Sequence, residues 1–387
     1  MKTKIQQQYS GIGSIHFLEN ILTVNENPFN IFLVTGNFFY QSSLKDTLEP
    51  LLASYDVTHF NDFSANPQLD DVRKGISLFK EKECDLVLAI GGGSTLDIAK
   101  SINILTAQIY GSSDKVTRYI TKELSLKKPG KPFIAVPTTA GTGSEATHFA
   151  VVYIDKKKYS LAHPEWMLPD YVVLDPSLTY NLPAKITAST GMDALCQAIE
   201  SYWSVYSTEE SQQYAGEAIP LIWKNLPVAV NNPTPLARES MMKAANLAGK
   251  AINISKTTAC HAISYPFTSY FNVPHGHAVA LTLGEMFVYN AGVNDDDCLD
   301  GRGLAHTQKT MQELMAMAGV TSPDDFNHQW CALMDTIGLE RRLHKLGLTT
   351  EEDIDLIVKN GFNPERVRNN LRVLTERELK KILYRIS

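Results

Sequence analysis

The chain has 387 residues, of which 44% are hydrophobic and 20% charged. At about 150 residues per domain, that length predicts two to three domains, each able to build a core without disulfides or metals. The formal net charge of −6 excludes a global field that would gather nucleic acid or an anionic membrane, so an anionic ligand has to be caught by a local pocket.

No apolar run reaches the roughly 18 residues of a membrane helix. The basic start Met1-Lys2-Thr3-Lys4 is not followed by the apolar stretch of a signal peptide. Five scattered cysteines (Cys84, Cys196, Cys260, Cys298 and Cys331) without a C-x-x-C spacing read as reduced thiols. These features predict a soluble, cytoplasmic protein with no nucleic-acid or membrane partner.

In chain order, Ile31-Phe32-Leu33-Val34 is a short apolar run closed by the turn-prone Thr35-Gly36-Asn37. Val72, Ile76 and Phe79 recur at spacings of four and three and predict a one-faced helix between Asp70 and Lys82. Leu86–Ile90 and Phe133–Val136 are further apolar runs, stopped by Gly91-Gly92-Gly93 and by Pro137. Runs of this kind between amphipathic helices predict parallel strands covered on both faces, a doubly wound α/β domain. Phe149–Ile154 and Tyr159–Ala162 predict a hairpin with Lys156-Lys157-Lys158 as its solvated turn, and Val172-Val173-Leu174 supplies a last strand. Past Pro183, windows rich in Ala, Leu, Met and Glu predict helices nearly to Ser387. The boundary therefore falls near Leu182, with an α/β domain over residues 1–182 and an all-helical domain over 183–387.

Leu86–Lys100 reads as a strand, a glycine turn and a helix start. Without Cβ atoms the glycines let backbone N–H groups approach a pyrophosphate, and Ser94 or Thr95 can cap a helix whose positive end faces that anion. Asp97, in the first helical turn, reads as a capping or loop-orienting residue rather than a catalyst. Pro137–Glu145 follows another strand and carries four hydroxyls and two glycines, which suits hydrogen bonding to a phosphate and ribose at a strand end.

In the helical half, Asp193 and Gln197 share one helical face, as do His261 and Tyr265, and Pro274-His275-Gly276-His277 adds two histidines. Asp193, His261 and His275 suffice as ligands for divalent zinc or iron with an open position. Cys196 and Cys260 adjoin these positions but point elsewhere on their helices and read as packing residues.

Four segments in this order and spacing resemble the iron-containing (group III) alcohol dehydrogenase family over nearly the whole chain. They are Gly91-Gly92-Gly93-Ser94 with Asp97 and Lys100, the Pro137–Glu145 loop, Gly191-Met192-Asp193-Ala194-Leu195 through Glu200, and Pro274-His275-Gly276. The resemblance implies an α/β N-terminal dinucleotide-binding domain, an all-α C-terminal domain, and a divalent metal, Fe2+ or Zn2+, in the cleft between them, the architecture shared with dehydroquinate synthase. It also implies a homodimer. It puts the pyrophosphate on Gly92, Gly93 and Ser94, nicotinamide-side contacts on Thr138, Thr139 and Thr142, and further cofactor contacts at Asp97 and Lys158. The metal positions fall on Asp193, Gln197, His261 and His275.

Three departures bear on function. Gln197 stands where the family has histidine, and an amide oxygen is the weaker ligand. Tyr265 replaces a second histidine thought to relay protons, and a phenol with a pKa near 10 is a poor base at neutral pH. Ser255, Lys256 and Thr257, read at a helix N-terminus ahead of His261, replace a glycine-rich stretch and suggest a local anion trap. The segment from Ala248 to Leu281 also resembles phosphonoacetaldehyde reductase-like members of the family. No acidic residue follows the first strand at Thr35-Gly36-Asn37, which favours NADPH, with NADH as the other nucleotide.

The expected activity is metal-dependent, NAD(P)H-linked reduction of a small anionic aldehyde, with phosphonoacetaldehyde to 2-hydroxyethylphosphonate as the named case. The metal would act as a Lewis acid, with proton delivery through water assisted by Tyr265 or His277. The alternatives are reduction of neutral short-chain aldehydes, as by butanol or 1,3-propanediol dehydrogenases, an NAD-using lyase resembling dehydroquinate synthase, and a non-enzymatic cofactor-binding scaffold.

Overall fold

The computed structural model describes residues 5–24, 30–36, 39, 44–109 and 115–387. Met1–Lys4 of the basic start, and Asn37 of the turn after the first apolar run, lie outside the described residues. The chain divides into two compact units, Met1–Thr139 with Ser144–Asn181 and Ala140–Gly143 with Leu182–Ser387. The second unit thus takes in a short piece of the hydroxyl-rich loop as well as everything from Leu182 onward.

The strands of the first unit are β1 (Gln7–Ser10), β2 (Asn30–Thr35), β3 (Asp56–Phe60), β4 (Leu86–Gly91), β5 (Phe133–Pro137), β6 (Phe149–Ile154), β7 (Lys157–Ala162) and β8 (Tyr171–Leu174). Six of them form a parallel sheet in the order β1-β8-β5-β4-β2-β3, while β6 and β7 pair separately and antiparallel. The helices are α1 (Phe17–Val24), α2 (Leu44–Leu52), α3 (Leu69–Glu81), α4 (Gly93–Gln108) and α5 (Lys115–Ile120).

Alternation along the strands sends side chains to opposite faces. Ile31, Leu33, Leu86, Leu88, Ile90, Ile134 and Val136 join a buried cluster with Leu18, Ile21 and Leu22 of α1 and Leu44 and Leu48 of α2. Phe32 points the other way, its ring 5.0 Å from that of Phe79 on α3. Both faces are covered, which explains why these strands are apolar without interruption. Strands β1 and β3 are the sheet's edges; Gln7-Gln8-Tyr9-Ser10 and Asp56-Val57-Thr58-His59 lack an apolar run because an edge strand is half solvated.

The hairpin differs from expectation in its turn. Lys157 and Lys158 already pair with Ile154 and Tyr153, so the loop is only Asp155-Lys156, with Asp155 at φ 55. A two-residue connection is the one that matches the twist of paired strands.

The chain runs from β2 out to β3, then crosses back to β4 and continues outward through β5 and β8. The strand order therefore reverses between β2 and β4, and ligands of open α/β sheets bind at the carboxyl ends beside such a reversal. Here that end is the glycine loop. Buried Lys100 and partly buried Asp97, both of α4, hold the segment after β5 in place. Lys100 Nζ donates to the carbonyls of Ser144, Thr147 (2.7 Å) and Phe149 (3.1 Å) and to Thr147 Oγ1 (3.2 Å). Asp97 accepts from Ser144 Oγ at 2.7 Å and from the Val151 amide at 3.0 Å.

The second unit contains α6 (Ala184–Trp203), α7 (Glu209–Asn231), α8 (Pro235–Ser255), α9 (Ala259–Phe271), α10 (His275–Ala291), α11 (Leu304–Ala318), α12 (Pro323–Thr336), α13 (Glu351–Gly361), α14 (Pro364–Val367) and α15 (Glu376–Arg385). Side chains at their starts set several boundaries. Thr208 and Ser211 form a reciprocal box at α7, and Thr234 caps α8 ahead of Pro235. No helix among the described residues is long and apolar enough to cross a membrane, and all five cysteines are free thiols.

Candidate functional site

Helix α6 carries Asp193, Gln197 and Glu200 at i, i+4 and i+7, one face of a 3.6-residue period. Helix α9 brings His261 and α10 brings His275, and one donor atom from each of Asp193, His261 and His275 lies within 4.8 Å of the others. Gly276 permits this approach: a Cβ there would sit 1.9 Å from the Ser189 carbonyl and 2.7 Å from Asp193 Cβ, both on α6. The Gly276→Ala variant is therefore expected to lose bound metal at least about tenfold and to melt several degrees lower, as overpacking against backbone predicts. Metal analysis and thermal denaturation check both outcomes.

Glu200 is fully buried and bonds three residues at the start of α9. Its Oε1 accepts from Thr258 Oγ1 at 2.7 Å and from the amides of Cys260 (2.8 Å) and His261 (3.4 Å) at the start of α9. Its Oε2 takes the Nδ1 side of the His261 ring, which leaves Nε2 facing Asp193 Oδ1 at 3.3 Å. Burial pushes the His261 pKa down, but Glu200 and Asp193 together outweigh burial and raise it to about 10. The position is built to sit beside positive charge.

Gln197 donates through Nε2 to the Thr142 carbonyl at 3.2 Å, and its buried Oε1 has no hydrogen-bond partner. A carboxylate, two imidazoles and an unmatched amide oxygen fit a divalent iron or zinc ion, and a carboxylate behind a ligating histidine is the usual outer support. Glu200 escaped the sequence reading as a functional residue. The signal was present: it stands seven residues beyond Asp193, in phase with the ligand face. Cys196 and Cys260 are buried and desolvation holds both thiols protonated, in keeping with packing roles.

Tyr265, one turn beyond His261, stacks near the His275 ring, with centroids 6.2 Å apart and planes at 21°. The Arg366 guanidinium lies over the Tyr265 ring, 4.8 Å from its centroid, and donates to its hydroxyl. His277 does not join the cluster. Its Nε2 meets the Glu340 carbonyl at 2.6 Å, and burial lowers its pKa.

The expected helix N-terminus at Ser255, Lys256 and Thr257 is corrected. Ser255 is the last residue of α8, and its buried hydroxyl bonds Ser201 Oγ at 2.7 Å. Lys256 closes that helix at φ 63, and its ammonium lies 5.4 Å from the centroid of the exposed Tyr206 ring. The Thr257 carbonyl accepts from Asn369. Helix α9 begins two residues later, and the carboxylate of Glu200 already takes its first amides. The three side chains therefore do not converge on one anion.

At the nucleotide loop, Gly92 is the N-cap of α4, with no side chain capping it. This corrects the expected cap by Ser94 or Thr95: Ser94 Oγ donates to the Ala65 carbonyl, and Thr95 packs where a Cβ on Gly91 would fall, with Oγ1 only 2.4 Å from that point. The first amides of α4, around Gly93 and Ser94, are thus left to a ligand, a donor set that fits a pyrophosphate. The Thr138 amide bonds the Gly91 carbonyl at 2.9 Å, and Thr139 lies against Gly92. Lys158 sits on β7, its charge acting on Asp97. Thr142 belongs to the second unit, where it meets Gln197.

Comparison with known proteins matches residues 6–176 to the model described as "Iron-containing alcohol dehydrogenase" and residues 187–387 to "Fe-containing alcohol dehydrogenase family, C-terminal". The phosphonoacetaldehyde reductase of Streptomyces viridochromogenes is 33% identical over 349 residues, 88% of this chain and 84% of that protein. The NAD-dependent methanol dehydrogenase of Bacillus methanolicus is 30% identical over 363 residues, 91% of this chain and 90% of that protein. The crystal structure of sulfoacetaldehyde reductase from Bifidobacterium kashiwanohense in complex with NAD+ superposes with a TM-score of 0.86 at 31% identity, covering 98% of this chain and 96% of that one. These matches set aside the lyase and scaffold readings. The chain belongs to the iron-containing alcohol dehydrogenase family and is an NAD(P)-dependent oxidoreductase.

Proposed function

We propose that this protein reduces a small aldehyde carrying a terminal oxyanion, with phosphonoacetaldehyde to 2-hydroxyethylphosphonate as the favoured case. The observation that carries the chemistry is the cluster of Asp193, His261 and His275 beside the unmatched Oε1 of Gln197. The substrate class is supported by two relatives named for phosphonoacetaldehyde and sulfoacetaldehyde, both two-carbon aldehydes ending in an oxyanion. NADPH is the favoured nucleotide and NADH the second, because Thr35-Gly36 at the end of β2 presents no carboxylate to repel a 2′-phosphate. The protein works as a cytoplasmic homodimer in this reading.

Asp193, His261, His275 and Gln197 would hold the metal, and Glu200 keeps His261 turned toward it. When bound, a divalent ion there supplies Lewis acidity toward a carbonyl oxygen, and the reduced nicotinamide supplies the hydride. Gly92, Gly93 and Ser94 offer amides to the pyrophosphate, with Thr138, Thr139 and Thr142 on the nicotinamide side and Lys158 as a further contact. Tyr265, stacked near His275, is the residue we assign to proton delivery through water.

A second reading, reduction of neutral short-chain aldehydes, is favoured by one observation: Lys256 rests over an exposed tyrosine instead of completing an anion trap. Following nicotinamide absorbance with phosphonoacetaldehyde and propanal, with each nucleotide and with iron or zinc, decides between them. The expected result is a kcat/KM at least about tenfold higher for the phosphonate aldehyde. Equal values would establish the neutral reading, and no oxidation of either nucleotide would remove the reductase assignment.

A further inference from the structure

We infer that Arg366 receives the substrate's terminal oxyanion, an inference that rests on the anionic-aldehyde reading above. Arg366 lies on α14, a short helix held by three anchors. Asn363 Oδ1 accepts from the Glu365 amide at 2.9 Å, Val367 is buried, and Asn369 donates to the Thr257 carbonyl at 3.1 Å. The half-buried guanidinium is thereby set over Tyr265, whose ring in turn stacks near the metal-ligating ring of His275. This places a permanent cation two ring spacings from a metal ligand, within one compact unit.

Arg366 has no counterion, as is also true of Arg238, Arg342, Arg368 and Arg377 among the described residues, and of these it is the one set over the ring beside His275. Arg302, Arg341, Arg372 and Arg385 each have a carboxylate partner at 2.6–3.1 Å. Among the described residues Arg366 has no such partner, and Tyr265 takes only one of its five N–H groups. A partly desolvated cation without an anion is costly to maintain. A guanidinium offers a planar fork that matches two oxygens of a phosphonate or sulfonate. In this inference the carbonyl oxygen faces the metal cluster and the oxyanion, two carbons away, passes the Tyr265 ring that neighbours both His275 and Arg366 to meet that fork. Lys256, the cation the sequence put forward, is spent on the exposed Tyr206.

The test compares wild type with Arg366→Met, Arg366→Lys and Lys256→Met as metal-loaded enzymes, on phosphonoacetaldehyde, sulfoacetaldehyde and propanal. Binding of ethylphosphonate by calorimetry gives a second readout without turnover. Arg366→Met is expected to lose on the order of 100-fold in kcat/KM on the aldehyde whose oxyanion it receives, with a much smaller loss on propanal, and to weaken ethylphosphonate similarly. Arg366→Lys keeps part of the preference, as a point charge without a fork, and shows that any loss in the methionine variant is not misfolding. Loss on both anionic aldehydes assigns the site to tetrahedral oxyanions in general; loss on one names phosphonate or sulfonate as the ligand. Equal loss on all three aldehydes overturns the inference. Retained preference in Arg366→Met also overturns it while leaving the substrate reading intact, and a preference lost in Lys256→Met instead would move the anion to that side chain. If wild type itself shows no preference over propanal, the anionic-substrate reading fails and this inference fails with it.

Discussion

Replacing His261 with alanine is expected to remove bound metal and turnover together. The imidazole is a ligand candidate on one side and the partner of the Glu200 carboxylate on the other. Its loss opens the coordination set and strands a buried charge. Metal analysis should fall from about one ion per chain to a small fraction of that, and kcat by on the order of a thousandfold or more. Glu200→Gln makes the graded comparison. It keeps the shape and an oxygen for the α9 amides but removes the charge behind His261, so metal affinity should drop about 10- to 100-fold while the ligands remain. A metal-free His261→Ala enzyme with undiminished turnover would falsify the assigned centre.

Lys100→Met is expected to have the largest effect on stability. Methionine fills similar volume but takes the ammonium's hydrogen bonds from the Ser144, Thr147 and Phe149 carbonyls and leaves Asp97 and Glu145 without this cation. Breaking a buried charge arrangement from one side costs about 3–5 kcal/mol, roughly a 5 °C drop in melting temperature for a chain of 387 residues unfolding as one. The pH dependence has a definite sign. Burial lowers the Lys100 pKa to about 8, only partly countered by Asp97 and Glu145, from an ordinary 10.5. Between those values the unfolded chain carries a proton that the native protein has released, so this group adds stability as pH rises from about 8 toward 10.5 and contributes no slope below. The gap in melting temperature between wild type and Lys100→Met should therefore widen from pH 8 to pH 10. A narrowing gap would mean that the oxygen cage around Nζ outweighs its burial.

Much of the architecture could be read along the chain because the determinants are local. A strand buried on both faces has to be apolar throughout, so β2, β4, β5 and β8 announce themselves, and α3 shows its single apolar stripe. The edge strands β1 and β3 do not, since half their surface is solvated. The end of α8 was hidden for another reason. A helix usually closes at a glycine when the chain turns left-handed, but here Lys256 adopts φ 63, so Ser255-Lys256-Thr257 looked like the start of the next helix.

Helix period alone puts Asp193 and Gln197 on one face and His261 and Tyr265 on another, and the glycine turn after β4 is a local signal, while the set of Asp193, Gln197, His261 and His275 was legible through the resemblance of their segments to the iron-containing alcohol dehydrogenase family. Tertiary packing decided the rest. Gly276 against α6 brings three candidate ligands from separate helices together, Glu200 reaches across to His261, and Arg366, about a hundred residues downstream of Tyr265, arrives over its ring. No period links residues so far apart. Only the burial of apolar faces against one another sets where such side chains meet, and that is why the cation nearest the candidate ligands in sequence, Lys256, is not the one that packs over Tyr265.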